Sequence, residues 1–276
     1  MAEQFSHLPP LESVYRLSGE QVKQFQTDGH IMLRGLATSD EVAAYRPYIR
    51  SILEEVTERK AKQGRPGGYA SFFAQVTNIW RLHDATLRFV IARRFARVAA
   101  ELMGAPGVRL YHDQALFKPA GGKATPWHQD QVYWPLDTPR TITMWMPLVD
   151  LTREMGTMVF AAGSHREGPL TQLAISDASD AFFDRLVRDR GFPLQSYDLK
   201  AGDATFHGGW TAHATHPNSS NSVREVMTII YYADGARIVE PDNDYRRVDL
   251  EAFHPGQRPG EPAASALNPL LYSNVG

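Results

Sequence analysis

The sequence contains no cysteine among its 276 residues, which limits the chemistry that it can perform. Without thiols there are no disulfide bonds, thiolate nucleophiles, cysteine-bound zinc ions or iron–sulfur clusters. Any bound metal must therefore be held by histidine, carboxylate or water.

The sequence also lacks a large excess of charge of either sign and a long apolar run. The 29 lysines and arginines oppose 31 aspartates and glutamates, and the net charge of −2 gives no attraction for nucleic acid phosphates. No segment approaches the roughly 18 apolar residues of a membrane helix, and residues 1–13 lack the basic start and apolar centre of a signal peptide. We therefore expect a cytoplasmic protein without nucleic acid or membrane partners, and its oligomeric state stays open.

The first hundred residues have the patterns of helices. Ser18 with Gln21, and Thr38 with Glu41, have the spacing of capping boxes, so two helices are predicted to begin there. The second is predicted to end at the glycine-rich segment 64–68. A third is predicted from Asp84 to a stop at Gly104.

From residue 108 onwards the pattern changes to short β-like runs separated by turns. The runs are Val108–Phe117, Thr141–Val149, Thr157–Ala161, Gln195–Leu199, Ala204–His207 and Val226–Ala233. Strands that follow strands predict a sandwich, barrel or jelly roll, with one helical insertion at Asp177–Arg190. The tail after Asp234 is rich in proline and charge, and we expect it to wrap the surface rather than to add a core element.

A histidine and an aspartate stand two residues apart in this β region. On an extended strand His128 and Asp130 would project from the same face and could bind one ion. A third ligand could come from the later segment 202–213, which contains His207 and His213. Two histidines and one carboxylate form the facial triad of non-haem Fe(II) oxygenases, which leaves coordination positions for a cosubstrate and dioxygen.

An arginine follows this later segment at the start of an apolar strand. The guanidinium of Arg224 could bind a carboxylate through two parallel hydrogen bonds, which the distal end of 2-oxoglutarate requires. By itself, Arg224 could be a solvated arginine at the start of a strand. Together with the triad spacing, it favours a carboxylate-binding role in an Fe(II)- and 2-oxoglutarate-dependent enzyme.

Several longer motifs give the sequence a family resemblance. They are Asp113–Pro119, Trp127–Trp134, Trp145–Asp150, Gly163-Ser164-His165 and the interval from His213 to Arg224. With these motifs the chain resembles the phytanoyl-CoA dioxygenase family from about Leu17 to the closing Asn-Pro-Leu-Leu-Tyr. The resemblance implies a mostly β fold, a double-stranded β-helix (a cupin-like jelly roll) with N-terminal helices. We expect one domain over residues 1–276, with a helical part to about 105, the jelly-roll core over about 106–233 and a tail over 234–276 that packs on the core.

The resemblance also implies roles for individual residues. It implies that His128, Asp130 and His213 are the catalytic iron ligands and that Arg224 and Thr215 bind the distal carboxylate of 2-oxoglutarate. Gln114 and Trp145 match positions that often line the cosubstrate. Tyr133 and Trp134 immediately follow the motif that contains His128 and Asp130, and we expect them to border the substrate. His207 matches a frequent non-ligating histidine, and His207 and His216 remain the alternatives to His213.

The implied reaction uses Fe(II), 2-oxoglutarate and dioxygen to oxidise a C–H bond of a small molecule, most simply by hydroxylation, with release of succinate and CO2. Asp130 fills the coordination position that a halogenase of the family leaves to chloride. The main alternative is a metal- and ligand-binding jelly roll without oxygenase turnover, and a hydrolytic metalloenzyme with the same ligands is a second. The identity of the substrate cannot be read from the sequence.

Overall fold

A computed structural model of the chain describes residue 5, residues 7–63 and residues 73–274. The helices are α1 (Gly19–Asp28), α2 (Ser39–Lys62), α3 (Asp84–Val90), α4 (Arg93–Met103), α5 (Asp177–Arg190) and α6 (Asp244–Phe253). The strands are β1 (His30–Leu33), β2 (Ala74–Thr77), β3 (Gly107–Lys118), β4 (Thr125–His128), β5 (Thr141–Pro147), β6 (Met158–Ala161), β7 (Leu194–Ser196), β8 (Ala204–Gly208), β9 (His213–Thr215), β10 (Arg224–Ala233) and β11 (Leu270–Ser273).

The strands form two antiparallel sheets, and the fold is a jelly roll. The major sheet has the order β1-β8-β5-β10-β3-β11, and β2 pairs with β3 beside β11. The minor sheet has the order β4-β9-β6-β7. Strands that are distant in sequence are neighbours in both sheets, as Greek-key connections require.

The N-terminal helices cover the outer face of the major sheet. Both predicted capping boxes are present, at Ser18 for α1 and at Thr38 for α2. The apolar face of α2, which includes Val42, Tyr45 and Ile49, is buried in the largest hydrophobic cluster together with residues of α4 and the major sheet. Successive side chains of a strand point to opposite faces of the sheet. The residues of the major sheet that do not face the helices therefore line a cavity on its inner face.

The sequence prediction of one helix from Asp84 to Gly104 is wrong in one respect. The chain forms two helices, α3 and α4, and Ala92 between them has the extended ψ of 117°. The predicted stop at Gly104 is correct, since this residue caps α4 in the left-handed region. The predicted end of the second helix at 64–68 lies outside the described residues.

The predicted β region is correct in outline, but it is incomplete. Each of the six predicted runs overlaps an observed strand, and α5 has the predicted bounds. Strands β1 and β2 within the helical N-terminal part were not predicted, and the six predicted runs do not include β4 and β9.

The C-terminal tail does more than wrap the surface. Strand β11 pairs with β3 and extends the major sheet, and α6 lies beside the cavity through Asp249 and Phe253. Among the described residues, none of the helices is long and apolar enough to cross a membrane.

Candidate active site

A cluster of possible metal ligands lies between the two sheets. His128 ends β4 and is the register partner of His213, which begins β9, so the two rings face each other with centroids 4.2 Å apart. Asp130 lies in the next turn, and its Oδ1 is 3.4 Å from His128 Nε2 and 3.7 Å from His213 Nε2. One possible ligand atom from each residue lies within 4.8 Å of the others.

The backbone of Asp130 differs from the sequence prediction. The residue does not continue strand β4 but begins a 3-10 turn over Asp130–Val132. The carboxylate reaches the two histidines through this turn. The predicted juxtaposition of His128 and Asp130 is therefore present, although its predicted cause, a shared face of one strand, is not.

Hydrogen bonds to the backbone orient both imidazole rings. His128 Nδ1 donates to the carbonyl of Pro126 at 2.8 Å, and His213 Nδ1 donates to the carbonyl of Thr211 at 2.9 Å. Because a carbonyl only accepts, the proton of each neutral ring lies on Nδ1 and the Nε2 lone pair faces the cluster. This is the usual arrangement of histidines that bind a metal.

A third histidine holds the aspartate from the opposite side. His207 on β8 is 1% exposed, and its Nε2 lies 3.2 Å from Asp130 Oδ2. Thr143 Oγ1 donates to the same oxygen at 3.1 Å, so Oδ1 is left to face the histidine pair. His216, the other alternative ligand, is exposed and lies outside the cluster.

The electrostatics of the cluster suit a divalent cation. Burial alone would raise the pKa of the Asp130 carboxyl, but His213, His128 and His207 outweigh it and hold the pKa well below its usual range. Burial, reinforced by the neighbouring His128 and His207, lowers the pKa of His213 well below its usual range. An ionised carboxylate beside neutral imidazole is the protonation state that metal binding needs.

The cluster opens into a cavity of about 370 Å³ that all nine predicted site residues line. They are Gln114, His128, Asp130, Tyr133, Trp134, Trp145, His213, Thr215 and Arg224. A cavity of this size suits a small molecule.

Arg224, at the start of β10, is a buried cation in the wall of this cavity. It is 2% exposed, its Nη1 donates to the Gly156 carbonyl at 2.8 Å, and its guanidinium lies 5.5 Å from the Trp145 ring centroid. Nε has no hydrogen-bond partner, and within the described part of the chain no carboxylate forms an ion pair with Arg224. Burial lowers the pKa of Arg224 to about 9. An unpaired buried charge is costly, so this wall is suited to an anionic ligand.

Sequence reasoning missed a buried lysine, Lys118, at the end of β3. Its Nζ donates to Thr215 Oγ1 at 2.7 Å and to the His216 carbonyl at 3.1 Å. Burial and the nearby Arg224 lower the pKa of Lys118 to about 6. The backbone N–H of Thr125 also donates to Thr215 Oγ1, at 3.0 Å. Two donors thus occupy the lone pairs of Thr215, and its own hydroxyl donates to Thr125 Oγ1 at 2.9 Å.

The remaining predicted residues form the walls of the cavity. Gln114 accepts a hydrogen bond from Gln75 at 2.7 Å, and the Tyr133 hydroxyl accepts one from the backbone N–H of Ile175 at 2.8 Å. Trp134 packs against Tyr111 with ring centroids 5.4 Å apart.

Sequence reasoning also missed the wall that helix α6 contributes. His112 stacks on Phe253 with centroids 4.2 Å apart, and Asp249 Oδ2 accepts a hydrogen bond from the Tyr111 hydroxyl at 2.9 Å. His112, Asp249 and Phe253 all line the cavity. The charged pattern of the tail gave no signal that this segment would fold back over the site.

Comparisons with known proteins identify the family and the fold of the chain. The family model for phytanoyl-CoA dioxygenase matches residues 25–226. The ectoine dioxygenase of Bordetella parapertussis is 27% identical over 238 residues, which cover 78% of this chain and 75% of that protein. The solved structure of the α-ketoglutarate-dependent carbocyclase SnoK from nogalamycin biosynthesis is 26% identical, with a TM-score of 0.74 over 92% of this chain and 96% of that one. The epimerase SnoN, solved with Fe3+, α-ketoglutarate and nogalamycin RO, has the same fold, with a TM-score of 0.73 at 24% identity over 92% of this chain and 98% of that one.

Proposed function

Because the chain belongs to the phytanoyl-CoA dioxygenase family, we propose that it is an Fe(II)- and 2-oxoglutarate-dependent dioxygenase that hydroxylates a C–H bond of a small molecule. The observation that carries the proposal is the buried Arg224, which forms no ion pair with any described residue and lies in the same cavity as the His128, Asp130 and His213 cluster. A metal site alone does not require such a cation, whereas a dicarboxylate cosubstrate does.

The residues of the cluster fit an iron ion. His128 and His213 would offer Nε2, and Asp130 would offer Oδ1, because its other oxygen is held by His207 and Thr143. Two imidazoles and one carboxylate are the donor set typical of non-haem Fe(II) oxygenases. When bound, the iron supplies the activation of dioxygen that drives 2-oxoglutarate decarboxylation and substrate oxidation.

The protein's own task is to position the cosubstrate and the substrate. Arg224 would bind the distal carboxylate of 2-oxoglutarate. Thr215, whose lone pairs are occupied by Lys118 and the Thr125 amide, would donate its hydroxyl proton to the same group in place of Thr125 Oγ1, the present acceptor at 2.9 Å. Trp145 packs beneath the guanidinium and limits its movement. Gln114 would line the cosubstrate, and Tyr133 and Trp134 would border the substrate.

The alternative is a jelly roll that binds a metal and a ligand without turnover. Arg224 disfavours it, because a binding module gains nothing from burying a cation next to a metal site at a cost in desolvation. SnoK and SnoN are named as a carbocyclase and an epimerase, so other outcomes of C–H oxidation occur on this fold. We propose hydroxylation because it is the simplest outcome and because Asp130 occupies the position that a halogenase leaves to chloride.

The test measures cosubstrate use by the Fe(II)-loaded protein. Wild-type protein should form succinate from 2-oxoglutarate in the presence of dioxygen. Arg224→Ala should raise the apparent 2-oxoglutarate constant about ten- to a hundredfold, because hydrogen bonds between charged groups contribute roughly 1.5–3 kcal/mol. Arg224→Lys should restore only part of this affinity, since an ammonium lacks the planar fork.

Two controls make the result specific. Arg140→Ala removes an exposed arginine and should leave the 2-oxoglutarate constant unchanged. Mn(II) affinity, measured by calorimetry under nitrogen, should be the same in Arg224→Ala and wild type. Superimposable 2-oxoglutarate curves for wild type and Arg224→Ala would contradict the proposed cosubstrate site and favour the binding module.

A further inference from the structure

The cavity contains a charged residue that the proposed function does not use. Asp249 on α6 lines the cavity and forms no ion pair within the described residues. It lies beyond residues 25–226, the segment that matches the family model. The match to the family model therefore assigns no role to Asp249.

Asp249 is held in place and incompletely satisfied. Its Oδ2 accepts a hydrogen bond from the fully buried Tyr111 hydroxyl at 2.9 Å, and no other hydrogen bond to its carboxyl is present in the described part of the chain. Burial raises the pKa of the carboxyl to about 7, and the negative charge of Asp130 acts in the same direction. A partly buried carboxyl that faces a cavity gains most from a ligand that supplies a positive charge.

The walls around Asp249 are apolar and aromatic. Phe253, Tyr133, Trp134 and Ile230 line the same cavity, and His112 stacks on Phe253 at 4.2 Å. Burial lowers the pKa of His112 to about 4, so its ring is neutral near pH 7 and does not repel a cation. Flat aromatic walls favour ring-shaped apolar groups, and their faces also attract cations.

We propose that Asp249 determines substrate specificity by binding the protonated amine of a substrate whose remaining body is apolar and cyclic. The inference rests on the proposed function, because it assigns the substrate class of that same cavity. Arg224 would neutralise the anionic cosubstrate, and Asp249 would neutralise a cationic substrate. The same charge disfavours substrates that present a carboxylate or phosphate at this wall.

Three probes of one shape test this assignment. 1-Aminoadamantane, 1-adamantanol and adamantane-1-carboxylate share a rigid apolar cage and differ in one group, which is cationic, neutral or anionic. Their affinities are measured by calorimetry, under nitrogen, for protein loaded with Mn(II) and 2-oxoglutarate. The amine should bind wild type about ten- to a hundredfold more tightly than the alcohol, and the carboxylate should bind more weakly than both.

Variants on one helix connect this preference to Asp249. Asp249→Asn should lower the affinity for the amine about tenfold or more and leave that for the alcohol within about twofold. Glu251→Gln removes an exposed carboxylate from the same helix and should change neither affinity. Equal affinities of the amine and the alcohol for wild type, binding of none of the probes, or an unchanged preference in Asp249→Asn would each overturn the inference.

The same samples separate this inference from the proposed function. Binding of Mn(II) and 2-oxoglutarate is measured before each probe is added. If both bind and the amine preference is missing, the inference about Asp249 is wrong and the cosubstrate site stands. If 2-oxoglutarate fails to bind to the Mn(II)-loaded protein, the proposed function itself is wrong.

Discussion

Arg224 and Glu225 are consecutive residues of strand β10, and their side chains lie on opposite faces of the major sheet. Arg224 lines the cavity and has no carboxylate partner among the residues that the structure describes, whereas Glu225 accepts hydrogen bonds from Arg46 of α2 at 2.6 and 2.8 Å. Arg50 adds a third contact to Glu225 at 3.3 Å. The helical layer is thus joined to the strand by an ion-pair network directly behind the proposed cosubstrate anchor.

Removal of the Glu225 charge tests what this network contributes. Glu225→Gln should lower the free energy of unfolding by about 1–2 kcal/mol, because the carboxylate is buried while its arginine partners are partly exposed. The measurement is urea unfolding. Glu54→Gln removes the exposed partner of Arg50 and should change stability by less than about 0.5 kcal/mol. Equal effects of the two substitutions would show that the network does not contribute to stability.

Lys118 provides a second prediction about the cosubstrate site. Lys118→Met should raise the 2-oxoglutarate constant about three- to tenfold, less than Arg224→Ala, because Thr215 loses one of the two donors that position its hydroxyl. Lys23→Met, at an exposed position of α1, is the matched control and should have no effect.

Proton uptake distinguishes this role of Lys118 from simple packing. The pKa of Lys118 is about 6, so its amine is mostly neutral at pH 7.5, and a nearby bound anion should raise that pKa. Binding of 2-oxoglutarate to the Mn(II)-loaded protein should therefore take up protons, which is detected as a dependence of the binding enthalpy on the ionisation enthalpy of the buffer. The same proton uptake in wild type and Lys118→Met would contradict this prediction.

The histidines at the cluster should differ in their effects on metal binding. His128→Ala and His213→Ala should abolish Mn(II) binding under nitrogen, because each removes a facing Nε2. His207→Ala should retain binding with an affinity about ten- to a hundredfold weaker, since His207 only orients Asp130. Far-UV circular dichroism checks that each variant is folded. Retained binding in His213→Ala with complete loss in His207→Ala would show that the ligand assignment is wrong.

The pKa of Asp249 predicts how binding of the amine probe depends on pH. The titratable or charged groups around Asp249 are Tyr111, His112 and His254, Asp130 of the cluster and Arg246 of its own helix. Burial lowers the pKa values of His112 and His254 to about 4. Burial also raises the pKa of Tyr111 well above its usual value. The cluster histidines hold the pKa of Asp130 well below its usual range. Asp249, at about 7, is therefore the group of this set whose charge changes between pH 6 and pH 8.

Below its pKa the Asp249 carboxyl must lose a proton before it can pair with an ammonium. The affinity for 1-aminoadamantane should therefore rise about tenfold from pH 6 to pH 8, while the affinity for 1-adamantanol stays constant. Asp249→Asn should abolish the pH dependence. A rise of the same size for both probes would assign the titration to another group.

The helices and the site motifs could be predicted because their signals are local. The capping boxes at Ser18 and Thr38 and the bounds of α5 follow from residues within one or two helical turns. The motifs around His128 and His213 selected residues that the fold brings together within 4.8 Å.

The features that were missed depend on partners far away in sequence. Strand β9 has three residues and exists because β4 and β6 flank it, so it has no periodicity of its own. Lys118 is the last residue of a strand, a position where a lysine is usually solvated. Its amine is instead bound by Thr215 and His216, which are about a hundred residues away in sequence. Helix α6 contains no fully buried residue, so its place beside the cavity follows from tertiary packing and not from an apolar stripe.

The irregular pairing of β4 with β9 fixes a length within the site. Thr125 pairs with Thr215 and His128 pairs with His213, so β4 uses three residues where β9 uses two, and the bulge absorbs the additional one. Two residues of strand span about 7 Å, which separates the ligand end from the hydroxyl end of β9. If 2-oxoglutarate binds as we propose, this fixed separation limits the length of the diacid, and we expect keto diacids one carbon shorter or longer to bind more weakly because they would lose contact at one end.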